Sequence, residues 1–335
     1  MQRRGQACPS RGQPIRYAML NAFGSVMSVM VMIAIGLVLT RRGFFDAGAG
    51  PLISRIVVNI SLPAYMVSNL LGGYDRARLV SMLPGLPIPF LAISSALLAA
   101  AVVAALFKVK NGRRGTFMSM FALSNTIFIG LPVNSILFGE ASIPYVLLYY
   151  IANTILFWTV SVYGIARDGA LLAGKAPPAL ISLDGLRRIL SPPLMGLIAA
   201  VTLIMLGIRL PKAALDFFKT LGSMTTPLSM IFIGIVISRV EWKRLRLERD
   251  LLLVIAGRFV VAPMILVLLA RWSGLPLLMK EVFLVQSMMP VMTQTPILAG
   301  AHGADAEYAG VATSLTTVLS LVMIPACMLL ATIVF

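Results

Sequence analysis

The sequence predicts an all-α polytopic membrane protein: ten transmembrane helices arranged as two inverted five-helix repeats, with the fourth and ninth helices broken. Three observations lead there. Apolar residues make up 59% of 335 positions and charged residues only 12%, with a mean hydropathy of +0.93, far from soluble averages. Apolar stretches recur at the roughly 20-residue length that a helix needs to cross a bilayer core. Prolines and glycines of the second half also echo those of the first at one fixed offset.

The first five spans are Leu20–Leu39, Pro51–Leu71, Leu79–Phe107, Gly115–Gly139 and Ala141–Ala166. The second five are Ile189–Ile208, Thr220–Ser238, Leu251–Ala270, Val282–Ala304 and Tyr308–Phe335. Only the second and eighth carry a charge, Arg55 and Arg258 respectively. The chain divides into an N-terminal segment 1–18, a first repeat 19–164, a short cytoplasmic linker 165–188 and a second repeat 189–335. The first segment, "MQRRGQACPSRGQPIRYA", holds four arginines and lacks the apolar core of a signal peptide. Met19 is read as the start of translation, with a disordered tail as the alternative.

A formal charge of +16 points to membrane orientation rather than to nucleic acid, whose binders present basic residues on a folded soluble face. With the N-terminus outside, the loops after the first, third, fifth and seventh spans face the cytoplasm. They hold fifteen basic residues: Arg41 and Arg42; Lys108, Lys110, Arg113 and Arg114; Arg167, Lys175, Arg187 and Arg188; and Arg239, Lys243, Arg244, Arg246 and Arg249. The opposite loops hold seven, Arg76, Arg78, Arg209, Lys212, Lys219, Arg271 and Lys280. The positive-inside rule therefore predicts both termini outside the cytoplasm.

Little metal or thiol chemistry is on offer. Cys8 and Cys327 are the only cysteines and His302 the only histidine, so neither a disulfide framework nor a histidine metal cluster is predicted. No cofactor is expected.

Pro63 and Pro227 stand 164 residues apart, as do Pro132 and Pro296, Gly139 and Gly303, and Gly43 and Gly207. Pro and Gly mark backbone irregularity. A duplicated unit of five spans places its two copies in opposite orientations, the plan of secondary transporters. The fourth span is interrupted by "SNTIFIGLPVNS" and the ninth by "MMPVMTQTP". Breaks around Asn125–Pro132 and Pro290–Pro296 are expected where they line a cavity between repeats, with half-helix N-termini directed at an anion.

The stretch "SNTIFIGLPVNSILFGEASIPYVLLYYIANTILFW" resembles the signature of the auxin efflux carrier family: Asn-Thr, three apolar residues, Gly-x-Pro, then a short run to Gly. "NISLPAYMVSNL", "RFVVAPMI" and "QSMMPVMTQTPILAGAHGADAEYAGVATSLTTVLSLVMIP" are similar to the family at corresponding places, so the resemblance covers residues 19–335. It implies the crossed-helix fold shared with sodium/proton antiporters and bile-acid symporters. It also implies a homodimer through helices 1, 2, 6 and 7, and a mobile unit of helices 3–5 and 8–10. The long hydrophilic loop of the plant members is missing. The chain looks more like compact bacterial members of the inner membrane, whose proposed substrates include malonate and related organic acids.

Polar groups inside spans ask for a reason. Asn125 and Thr126 sit at the first break, where the resemblance assigns the Asn amide to the substrate; the alternative is that it satisfies freed carbonyls. Thr293, Gln294 and Thr295 occupy the mirror break. Asn153 and Thr154 in the fifth span are candidates of which at least one is interhelical glue. Asn59 precedes Pro63 and is a candidate for the pocket wall. Arg258 has no acidic partner in the spans; it either bonds carbonyls exposed by a helix break or makes the cytoplasmic vestibule electropositive. No Asp or Glu lies deep in a predicted span, which disfavours cation antiport. The sequence supplies no nucleophile–base pair for a membrane enzyme, and broken helices suit alternating access better than a channel. The expected function is a permease for a small organic anion such as malonate, with an indole-type carboxylate as the alternative substrate.

Overall fold

A computed structural model describes residues 30–46, 48–176, 192–238 and 248–335, with the side chains of 327–334 excepted. The segment 1–18, residues 177–188 of the predicted linker and the loop carrying Lys243 lie outside the described residues. All regular structure described is helical apart from one isolated β-bridge. Among the described residues, six continuous helices are long and apolar enough to cross a membrane, and the chain is a multi-pass membrane protein.

The helices run α1 (Met30–Arg41), α2 (Ala49–Gly73) and α3 (Arg76–Leu106), then two pieces, α4a (Arg114–Ala122) and α4b (Thr126–Phe138). After α5 (Glu140–Leu172) come α6 (Pro192–Met205), α7 (Lys212–Ser238) and α8 (Arg249–Arg271). Two further pieces, α9a (Leu277–Ser287) and α9b (Gln294–Ala301), precede α10 (Ala306–Val334). Several boundaries move from the sequence expectation. α5 runs on to Leu172, so the predicted linker begins as helix, and α7 starts at Lys212 rather than Thr220.

Small residues let helices of one group meet backbone to backbone. Gly196 of α6 lies against Pro63 of α2, where a Cβ would come within 2.7 Å of the Pro63 Cα. Gly222 of α7 meets Tyr65 of α2 in the same way, at 2.8 Å from its Cα. Gly36 of α1 and Gly234 of α7 abut the partner backbones at Ile231 and Ile33. Helices α1, α2, α6 and α7 thus pack as one layer. Helix α3 packs on α4a, α5 and α8, and α10 on α9a and α9b.

The four glycines at the 164-residue offset all adopt the left-handed conformation, with φ of 78° and 70° at Gly43 and Gly207 and 71° and 73° at Gly139 and Gly303. A side chain is strained there. Ser61 of α2 and Thr225 of α7, separated by the same 164, share a hydrogen bond of 2.7 Å.

One end of the molecule is tied by charge. Arg113, just before α4a, bonds Glu248 before α8 at 2.7 Å and Asp305 before α10 at 2.6 Å, with its guanidinium 4.8 Å over the Tyr308 ring. Burial pulls that guanidinium down, but the two carboxylates outweigh it and hold it above the ordinary arginine range. Beside it, buried Asp168 of α5 accepts the N–H groups of Gly115 (3.1 Å) and Thr116 (2.7 Å) and the Thr116 hydroxyl (2.9 Å). This carboxylate caps the positive end of α4a from a neighbouring helix.

Candidate functional site

The site is built where two helices stop. Residues Leu123 to Asn125 separate α4a from α4b, and Met288 to Thr293 separate α9a from α9b. The two unwound segments run antiparallel and pair with each other: the Asn125 N–H donates to the Pro290 carbonyl at 2.8 Å, and Ser124 bridges Val291. Breaking a helix frees backbone groups that a dry interior cannot leave unpaired. Asn153 of α5 answers on the outer edge of the first segment. Its carbonyl accepts the Ser124 N–H and its amide donates to the Ser124 carbonyl, both at 3.1 Å. On the second segment, the Thr316 hydroxyl of α10 accepts the Val291 N–H at 3.2 Å.

The half-helices are aimed as well as paired. The Asn125 carbonyl caps the Phe128 N–H at 3.2 Å and so starts α4b. Its amide nitrogen, on a residue only 2% exposed, has no partner among the described residues. The buried Gln286 amide of α9a donates across the crossing to the Thr126 carbonyl at 3.3 Å. Arg258 of α8, fully buried, donates to the Ser287 carbonyl at the C-terminal end of α9a at 2.6 Å. A cation there opposes the partial negative charge of a helix C-terminus.

A cleft whose empty space, its opening to solvent included, is about 460 Å³ lies against this crossing. One wall is Asn125, Thr126, Ile127 and Phe128; the next is Met292, Thr293 and Gln294. Tyr150, Thr154 and Trp158 of α5 form the third, and Val58 and Leu62 of α2 with Pro193 of α6 close the side opposite. The N-termini of α4b and α9b both begin at this cleft, and helix N-termini favour anions. None of the lining residues is charged. The buried Thr154 hydroxyl has no partner among the described residues. With the free Asn125 amide it offers donors to a carboxylate, while Phe128, Tyr150 and Trp158 offer an apolar face.

Of the residues singled out from sequence, Asn125, Thr126, Thr154, Thr293 and Gln294 line the cleft. Asn153 does not: both ends of its amide are spent on Ser124. Thr295 is buried one position beyond the cleft-lining residues. Pro296 lies inside the first turn of α9b, and Pro132 directly follows the π-helical turn Thr126–Gly130 that opens α4b, so both come after the breaks rather than in them. At Pro296 proline is tolerated because a first-turn N–H has no helical partner to lose. Asn59 is exposed and donates to the Arg55 carbonyl at 2.9 Å, on a face of α2 away from the cleft. Arg258 touches the end of α9a rather than a vestibule.

Sequence reasoning missed Gln286, Thr316, Tyr150 and Trp158, which read as ordinary span residues. It also missed four π-helical turns, at Val57–Ser61, Thr126–Gly130, Phe157–Ser161 and Gly257–Val261. Three of these supply cleft residues (Val58; Thr126, Ile127 and Phe128; Trp158) and the fourth carries Arg258. Such turns concentrate at functional sites, and no residue type announces them.

Broken helices that cross inside a multi-pass bundle, beside a cleft with free donors, define a membrane transport protein. Residues 21–328 match the membrane transport protein family, and the chain belongs to it, the auxin efflux carrier family that its motifs resemble. It is 24% identical to an uncharacterized transporter of Methanocaldococcus jannaschii over 316 residues, covering 89% of this chain and 95% of that protein. An uncharacterized transporter of Methanothermobacter thermautotrophicus is 22% identical over 308 residues, covering 90% of this chain and 95% of the relative.

Proposed function

We propose that the protein is a carrier that moves a small organic anion, malonate or another carboxylate, across the cell inner membrane by alternating access. The observation that carries this is the cleft itself. It lies between the crossed breaks on one side and α2 and α6 on the other, so sliding one group against the other exposes it to either face in turn. In this reading the chain forms ten spans in two inverted five-helix repeats, 19–164 and 189–335. Helices 3–5 and 8–10 move against a scaffold of helices 1, 2, 6 and 7, which also pairs the chain as a homodimer. The shared left-handed glycines and the Ser61–Thr225 bond support the repeat, since residues related by a twofold axis meet on that axis. Both termini face away from the cytoplasm.

The carboxylate is held by the Asn125 amide, the Thr154 hydroxyl and the partial positive charge at the N-termini of α4b and α9b. An aromatic carboxylate of the auxin type is the second reading, favoured by Phe128, Tyr150 and Trp158 around the cleft.

Counterflow in proteoliposomes tests the carrier, with a panel of malonate, succinate, lactate, benzoate and indole-3-acetate. A carrier exchanges labelled for unlabelled substrate; downhill leak without exchange indicates a channel and ends this reading. Cysteine labelling at positions 212 and 243 checks the topology: the two should react from opposite sides, and reaction of both from one side overturns it.

A further inference from the structure

We infer that Arg258 is a fixed intramembrane charge that leaves the bilayer-embedded part of the substrate-free moving unit cationic by one unit and matches its site to a monoanion. This rests on the carrier reading above and adds a charge stoichiometry to it.

The guanidinium is fully buried, and only Nη2 has a partner, the Ser287 carbonyl at 2.6 Å. Nε and Nη1 have none among the described residues. Among the described residues no carboxylate forms a salt bridge with it, and the ionisable group that acts on it is the phenol of Tyr149 on α5. A phenol is neutral at ordinary pH, and arginine does not give up its proton in proteins. The charge is therefore present and unpaired among the described residues. Burying such a cation in a membrane is costly, and the C-terminal dipole of α9a offsets only part of a unit charge.

The charge is also single. The position 164 residues earlier is Ser94, which is exposed on α3, so the first half has no counterpart. The cleft adds no charge of its own. Arg258 belongs to the group of helices that moves in the carrier reading, together with both breaks. A bound monocarboxylate then balances the Arg258 charge within the bilayer-embedded part of that group, and the loaded unit crosses with little electrical work. The empty unit returns carrying one positive charge. A full elementary charge across the whole field changes an equilibrium by up to about 50-fold per 100 mV, and less in proportion if it crosses part of the field. Membrane potential thus acts on the empty return step and not on the loaded one. A dianion leaves the loaded unit with one net negative charge and reverses that pattern.

The test needs no known substrate. Voltage steps across giant proteoliposomes carrying the full-length protein, without substrate, should give transient currents that integrate to no more than one elementary charge per protomer. Arg258→Gln should abolish them at equal protein density, and Arg258→Lys should keep them. A wild-type protein without transients, or a Gln variant with unaltered ones, overturns the inference. If the Gln variant does not assemble, wild-type exchange under clamped potential decides: benzoate exchange should be flat with voltage and malonate exchange at pH 8 should vary. Voltage-dependent benzoate exchange overturns the inference as surely. Counterflow without charge movement removes this charge assignment alone; absence of counterflow with every carboxylate removes the carrier reading as well.

Discussion

The breaks in α4 and α9 are made in different ways. The first is three residues long and is closed by one side chain, the Asn153 amide, which bonds both backbone groups of Ser124. The second is six residues long, contains Pro290, and donates one backbone N–H, that of Val291, to a side chain, the Thr316 hydroxyl. Its preceding half-helix ends on the cation of Arg258 instead. The short break is sutured and the long one is braced from outside. Two halves built at one offset therefore share the path of the chain but not the means of satisfying it. A pairing amide restores hydrogen bonds and adds no charge, whereas a bracing arginine adds a full one.

The largest expected effect breaks the suture. Asn153→Leu keeps most of the volume but orphans two buried backbone groups. At about 1–3 kcal/mol per group, the loss is about 2–6 kcal/mol, read as a lower melting temperature in detergent or loss of monodisperse protein. Thr316→Val orphans one group and should lose about half as much. Equal melting of the two variants would contradict the distinction between the breaks.

Next come the cleft-facing amides. Asn125→Ala removes a cap worth about 0.5–2 kcal/mol and the free donor as well, so counterflow should fall roughly tenfold or more while the protein still assembles. Gln294→Ala should cost only about threefold, equivalent to under 1 kcal/mol, because α9b has no side-chain cap to lose. The opposite ranking in a counterflow assay would transfer the recognising role to the second break.

A smaller effect sharpens how the breaks are locked together. A methyl on Gly130 would run into the Gln286 carbonyl oxygen, and overpacking of this kind costs about 1–3 kcal/mol. Gly130→Ala should slow transport, and adding Gln286→Ala should restore part of it. If the double variant is simply the sum of the two, the contact does not couple them.

The smallest effects belong to the prolines. Pro296 sits inside a first helical turn and Pro132 directly behind a π-helical turn, so Pro132→Ala and Pro296→Ala should each stay within about threefold of wild type, again under 1 kcal/mol. A severe loss from either would relocate the essential irregularity from the unwound segments to the prolines.

Those prolines show how far the sequence was legible. They marked the fourth and ninth segments correctly as irregular, yet the backbone opens one to two turns earlier, at Leu123–Asn125, and at Met288–Thr293. Proline is compatible with the start of a helix, so it signals that a new helix begins nearby, not where the old one ended. Asn125 and Gln294 were readable because a polar side chain beside a break has few other uses in a membrane. Asn59 misled for a rotational reason: Val58 and Leu62, four apart, share the face of α2 that meets the cleft, and the next residue along points about 100° away. Asn153 and Thr154 are adjacent and equally polar, and only their different directions around α5 make one a suture and the other a cleft residue.

By itself the sequence determined that the chain enters a membrane and roughly where its helices run. Leu251–Ala270 against the observed Arg249–Arg271 is typical. Hydropathy is a property of neighbouring residues and needs no fold to be read. The interruption of two segments was determined in the same way, by local chemistry that a continuous helix does not use. Only the tertiary structure decided which buried polar group pairs with which: Asn153 with Ser124, Gln286 with Thr126, Thr316 with Val291, Arg258 with Ser287. A polar group in a dry interior takes the partner that packing brings within about 3 Å, and these partners are separated by 25 to 160 residues.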